Sequence, residues 1–335
     1  MFKRWREQLQ GARKRFNDLA DETRLNGHRL DHLSAQVDLL TRENRLLLGY
    51  LSLPPTELWR DKPHLVGGAP ATSAFPHSTL CRQHSFERPY FSFWTHRLGV
   101  HLNYHRKVWE HVFICQALWE RGAIRPNARG LGFGVGREPL TAYFASEGCE
   151  VLATDLASEQ AAEAGWSATA QHADSLEGLW LPELCERSQF DRQVSFQVCD
   201  MNQVPDDFTG FDFCWSACSL EHLGSLEHGL RFIERSLQCL KPGGWAVHTT
   251  EFNLSSNTHT VSQGGTVLFR RQDMEILAER LTAQGHKVAA FDFEPGVAPL
   301  DRYVDVAPYR AEPHLKLALE GYAATSIGLI IQRSA

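Results

Sequence analysis

The stretch that most constrains the fold is ARGLGFGVGREPLTAYFASEGCEVLATD, residues 128–155. It reads as a strand, a glycine-rich turn, a helix and a second strand that ends on an acid. Gly132, Gly134 and Gly136 recur at every second position. They remove Cβ atoms where the backbone must turn sharply and let a ligand come close. The helix expected over residues 138–146 presents its N-terminal amides beside that ligand. Residues 149–154 form a short apolar strand, and Asp155 stands at its carboxyl end, where open parallel sheets bind ligands. These residues predict an α/β fold with a nucleotide pocket.

A dinucleotide fingerprint, G-x-G-x-x-G, would need a third glycine at position 137, which is Arg137. The 132/134/136 spacing instead resembles the first motif of class I S-adenosylmethionine-dependent methyltransferases. In that family the acid ending the second strand holds the ribose hydroxyls, and Asp155 matches it. The family usually carries another acid two places before the first glycine. Here that place is Gly130, and Glu138 is the nearby acid available to compensate.

Later motifs follow in the family's order. Residues 193–200 (QVSFQVCD) read as a third strand, and Asp200 with Met201 resembles the pair that meets the adenine amino group and packs on its ring. Residues 211–215 read as a buried fourth strand with small residues, Ser216, Ala217 and Cys218, at its carboxyl end. Small residues there let the methionine part of the cofactor lie against the backbone. Ser219-Leu220-Glu221-His222 resembles the S-x-L-E-H ending of this strand in many small-molecule methyltransferases. An amphipathic helix over 226–240, with Ser225 as N-cap, stops at Lys241-Pro242-Gly243-Gly244 before a fifth strand over 245–250. A helix over 271–285, a strand over 287–293 and a last apolar strand over 323–332 complete the pattern. The insert at 294–322 lies where the family shapes its acceptor pocket.

The resemblance covers roughly residues 128–252. It implies a doubly wound, Rossmann-like methyltransferase sheet of seven strands, the last antiparallel. It implies S-adenosylmethionine as cofactor, bound by Gly132, Gly134, Gly136, Glu138, Asp155, Asp200, Met201 and Ser216. The run from GLGFGVGREPL to HTTEFN also resembles uncharacterised bacterial methyltransferases associated with surface-polysaccharide assembly. An acceptor sugar, or another small hydroxyl-bearing molecule, is the corresponding expectation. A sugar hydroxyl loses its proton only far above neutral pH, so an oxygen acceptor wants a general base within reach. His222 follows the fourth strand on the ligand side, with an ordinary pKa suited to that role. Glu251 follows the fifth strand, placed to orient the histidine or hold the acceptor. The bland alternatives are a helix-capping His222 and a structural Glu251. Phe133 and Trp215 could offer aromatic faces to a cationic sulfonium, or simply fill the core.

Upstream, an apolar heptad seam runs Leu9, Ala12, Phe16, Leu19, Thr23, Asn26, Leu30, Leu33, Val37, Leu40, Asn44, Leu47, Leu51. Its 3-4 spacing never slips, which predicts a coiled-coil helix over 1–52 and a homo-oligomer through residues 9–51. The alternative is a helix folded back on its own domain. Lys3, Arg4, Arg6, Arg13, Lys14 and Arg15 surround Phe2 and Trp5, which fits either peripheral contact with an anionic membrane or a solvated helix start. Prolines 54, 55, 63, 70 and 76 mark a linker over 53–78, leaving 79–335 as the catalytic domain. A helix is expected over 104–121, either covering the cofactor or packing in the core. His101 and His105, four apart, form only a weak metal pair, and no metal is assigned.

A net charge of −6 argues against nucleic acid as partner. Eight cysteines without a C-x-x-C pair suit free thiols in a reducing compartment, and no run reaches the ~20 apolar residues of a membrane span. A cytoplasmic protein is expected, peripheral to the inner membrane if the basic start binds lipid. Two other readings compete. Arg137 disfavours a nicotinamide-dependent oxidoreductase, and a non-catalytic coiled-coil scaffold would need the Rossmann-like domain only for assembly.

Overall fold

The computed structural model describes residues 11, 13–15, 19–34, 36, 70, 72–158 and 172–334. The chain divides into two units, Met1–Leu51 and Ser52–Ala335. In the first, residues 13–15 and 19–34 are helical. The seam residues Leu19, Leu30 and Leu33 are all more than half exposed there. The rest of the seam's apolar positions, Trp5 with the first three bases, and residues 53–69 of the expected linker lie outside the described residues.

The second unit is built on a ten-stranded mixed sheet. Its main strands are β1 (Ser78–Leu80), β2 (Arg129–Phe133), β3 (Glu150–Asp155), β4 (Val194–Val198), β5 (Phe211–Ala217), β6 (Leu240–Asn253) and β7 (Tyr322–Gln332). They lie in the order β4-β3-β2-β5-β6-β7-β1, with Phe291–Asp292 beyond β1. From β4 to β6 all neighbours are parallel, and β7 runs antiparallel to β6. The chain winds outward from β2 to β4, then returns to lay β5 on the other side of β2. That reversal is where open α/β sheets bind ligands, outside the carboxyl ends of the strands.

The helices that matter for the site are α1 (Pro89–Arg97), α2 (Arg106–Glu120), α3 (Leu140–Ser146), α4 (Arg187–Gln193), α5 (Leu226–Gln238) and α6 (Arg271–Ala283). Each face of the sheet carries its own core. Phe213 and Trp215 of β5 join Trp109, Phe113 and Phe144 on one side. Cys214 and Phe133 join Phe232, Ile233 and Leu237 of α5 on the other. Strands buried on both faces read as continuous apolar runs, which is why β5 and β7 are legible in the sequence.

Three expectations are corrected. The sheet does not stop at seven strands. The single strand expected over 287–293 is two short ones, Lys287–Val288 and Phe291–Asp292. Between them β1 wedges against β7, with Ser78 N–H donating to the Ala290 carbonyl at 3.0 Å. Three residues carry too little periodicity for β1 to be read in advance. Second, α3 begins at Leu140, with Pro139 as N-cap, so Glu138 precedes the helix. Third, His101 lies before α2 while His105 is its N-cap, so the two share no helix face. His105 accepts from the Lys107 amide and stacks on His314 at 4.6 Å, and burial lowers its pKa to about 4.

All eight cysteines are free thiols. Among the described residues no helix is long and apolar enough to cross a membrane.

Candidate active site

A cavity of about 510 Å³ opens at the carboxyl ends of β2, β3, β4 and β5. Gly134 and Gly136 line it, with φ of +55° and +52°. A Cβ at Gly134 would stand 2.8 Å from Ser219 Oγ, so the turn after β2 lies directly against the end of β5. Ser219 Oγ closes that contact by donating to the Gly134 carbonyl at 3.1 Å.

Asp155 ends β3 on the cavity wall. Its Oδ2 accepts the Gly136 and Ala173 amides at 3.0 and 3.2 Å, and its Oδ1 accepts the Leu156 amide at 2.9 Å. Burial raises the Asp155 pKa, and the three amides oppose that rise. Asp200 and Met201 follow β4 on the opposite wall. Asp200 Oδ1 accepts the Asn202 amide at 2.8 Å, which fixes the turn that presents Met201. Glu138 sits at the mouth of α3, beside Lys107 and His111 of α2 on the same cavity.

Two of the cofactor residues read from the sequence lie elsewhere. Gly132 is inside β2, its carbonyl accepting from Thr154 Oγ1 at 2.7 Å, and it does not line the cavity. Ser216 is wholly buried and pairs with His248 Nδ1 at 2.9 Å. Strand alternation turns Ser216 away and Ala217 toward the cavity, and Cys218, past the strand end with φ of +49°, lines it too. Phe133 and Trp215 are likewise wholly buried in the two cores and do not line the cavity.

His222 lines the rim. Its Nδ1 lies 2.7 Å from the Gly265 carbonyl, so Nδ1 carries the proton and Nε2 is the acceptor nitrogen. Burial lowers its pKa, which favours this neutral form. Nε2 stands 3.9 Å from Glu221 Oε1.

Glu251 is not on the cavity wall. It is buried behind His222 and forms an ion pair with Arg106. Arg106 also reaches Glu110 Oε1 at 3.0 Å, and Lys107 reaches Glu110 Oε2 at 2.8 Å. Glu221 Oε2 accepts from Thr250 Oγ1 at 3.0 Å. Three carboxylates thus share two cations in a nearly dry space. Burial pushes both Glu221 and Glu251 upward, whereas the adjacent Lys107 and Arg106 overcome burial and hold Glu110 well below the usual range. Cys218, Glu221 and Glu251 are close enough together to ligate a cation. The Arg106 guanidinium already stands against Cys218 Sγ (3.8 Å) and Glu251, so that space holds a cation of the protein's own.

Sequence reasoning quoted Glu221 inside its motif but gave it no role. Arg106 and Glu110, one helical turn apart, were visible only as charges on a helix whose partners lie far along the chain. Nothing local marks them.

Residues 131–248 match the family model described as "Methyltransferase domain". A curated relative, malonyl-[acyl-carrier protein] O-methyltransferase from Enterobacter lignolyticus, is 28% identical over 134 residues, covering 40% of this chain and 43% of the relative. The chain therefore spans less than half the length of that protein. Among solved structures, phosphoethanolamine N-methyltransferase 2 from Haemonchus contortus is similar at 16% identity and TM-score 0.42, covering 66% of this chain and 52% of that one. Magnesium protoporphyrin IX methyltransferase from Synechocystis is similar at 14% identity and TM-score 0.39, covering 67% and 83%. Residues 131–248 are thus similar to a methyltransferase domain.

Proposed function

We propose that the protein moves a methyl group from S-adenosylmethionine to an oxygen of a small hydroxyl-bearing acceptor, a sugar of a bacterial surface glycan or its precursor being the leading candidate. One observation carries the oxygen acceptor: a neutral histidine, His222, on the rim of the cofactor cavity with Nε2 as its acceptor nitrogen. An acceptor nitrogen or carbon needs such a base less.

The residues of the cavity fit the cofactor. Asp155 at the end of β3 is placed to grip a ribose diol, Asp200 and Met201 line the cavity where an adenine would lie, and Ala217 and Cys218 line it where the methionine would lie. When bound, S-adenosylmethionine supplies a methyl group on a cationic sulfur. The protein's work is then to hold the acceptor oxygen in line with that methyl and to take its proton. His222 Nε2 takes the proton. Glu221 Oε1 lies 3.9 Å from that nitrogen. Arg106 is a positioning residue: it ties α2 to the ends of β5, β6 and β7 through Cys218, Glu251 and Ser326.

The test is a transfer assay with methyl-tritiated S-adenosylmethionine, offered to nucleotide sugars, free sugars and glycan fragments, with amines and thiols as controls. Label on a hydroxyl of a sugar supports the reading. Label only on nitrogen overturns the oxygen acceptor.

The exposed leucines of residues 19–34 support self-association of the N-terminal helix with a second copy of the chain. Charged side chains at seam positions oppose such packing. The double variant Leu30→Lys/Leu33→Lys is expected to lower the solution mass measured by light scattering to that of one chain, with transfer activity per chain retained. An unchanged mass would remove the seam from the interface. We further place the protein in the cytoplasm, where nucleotide-linked acceptors and reduced thiols are both available.

A further inference from the structure

We propose that Glu138, Lys107 and His111 together clamp the amino-acid end of the cofactor, Glu138 taking the ammonium and the two α2 residues taking the carboxylate. This rests on the methyltransferase reading above.

Strand β2 cannot supply the acid. A Cβ at Gly130 would come within 2.5 Å of the Phe213 ring, so the aromatic core occupies the space an acidic side chain would need. The acid on the cavity wall is Glu138 instead. Its Oε2 is buried and makes no hydrogen bond among the described residues. Its Oε1 stands 3.4 Å from His111 Nε2 and 3.8 Å from Lys107 Nζ.

His111 is the sharper signal. It is only 7% exposed, lines the cavity, and neither ring nitrogen makes a hydrogen bond among the described residues. A buried polar group without a partner is costly, and native proteins leave few of them. Lys107 lies four residues earlier, on the same face of α2. Its ammonium is anchored from behind by Glu110 Oε2 at 2.8 Å, which leaves it aimed rather than mobile.

One unfilled acceptor and one unfilled imidazole thus face one small space, with a cation beside them. A group bearing both charges on one carbon, an ammonium and a carboxylate, satisfies all three, and an α-amino acid is such a group. A ligand with only a negative charge would oppose Glu138, and one with only a positive charge would oppose Lys107. The arrangement also ties α2 to the mouth of α3 through the ligand, so the cofactor's far end closes the cavity that Asp155 and Asp200 open.

The experiment is calorimetry of the full-length protein with two ligands: S-adenosylhomocysteine, and 5′-methylthioadenosine, which keeps the adenosine and thioether but lacks the amino-acid end. Glu138→Gln, His111→Ala and Lys107→Met are each compared with the parent, after thermal unfolding has shown that each is folded. Charge-assisted hydrogen bonds are the strong ones, so each variant is expected to lose about tenfold or more in affinity for S-adenosylhomocysteine. Affinity for methylthioadenosine should change by less than about twofold, on the same principle. Equal loss for both ligands, or no loss for either, overturns the clamp while leaving the methyltransferase reading intact. A parent protein that binds neither ligand overturns that reading, and the clamp with it.

Discussion

Replacing His222 by alanine is expected to lower the methyl-transfer rate about 10²–10⁴-fold, the range general-base catalysis supplies. Affinity for S-adenosylhomocysteine should change little, because the residues proposed to hold the adenosine, Asp155, Asp200 and Met201, remain in place. The pH dependence follows from the same geometry. His222 must be neutral to accept the proton. Burial lowers its pKa from the ordinary ~6.5, so the acidic limb of the rate profile lies below that value and the rate is flat above it. The Gly265 carbonyl, which takes Nδ1–H, works against the shift, so the limb should move further toward acid in a variant that removes the contact. An alanine variant with full activity on an oxygen acceptor would show that the base is elsewhere.

Asp155→Ala is expected to weaken S-adenosylhomocysteine binding by about tenfold or more. Three amides already fill three of the carboxylate's about four acceptor positions, which leaves one for a ribose hydroxyl. A hydrogen bond to a charged group contributes about 1.5–3 kcal/mol, roughly one to two decades in affinity. Asp155 also accepts the Gly136, Leu156 and Ala173 amides, so the alanine variant loosens the turn that contacts the cofactor. Asp155→Asn keeps one acceptor oxygen and should fall between parent and alanine. Calorimetry on the three proteins checks this order, with thermal unfolding run alongside. Asparagine equal to parent would mean that charge at this position does nothing for the ligand.

What was legible in the sequence follows physical lines. The five parallel strands are apolar on both faces or end on glycine and acid, and each is visible from composition alone. Asp155, Asp200 and Met201 stand at strand ends, where register fixes position, and the structure puts all three on one cavity. Ser216 lies off the cavity because alternation decides which way a residue at a strand end faces, and that phase depends on the neighbouring strands. Glu251 is expected just past a strand ending at 250, whereas β6 runs Leu240–Asn253 and carries it inside the sheet, and its partner, Arg106, comes from a helix 145 residues earlier in the sequence. Long-range ion pairs leave no local trace. β1 was invisible because three residues cannot show a period, and because its place is made by the break between Val288 and Phe291.

The central claim is that this chain's cavity takes S-adenosylmethionine and not a dinucleotide. Calorimetric titration of the purified protein with S-adenosylhomocysteine, with NAD in parallel, tests it directly. Micromolar binding of S-adenosylhomocysteine alone, weakened by Asp155→Ala, is the predicted result; tight binding of NAD would contradict it.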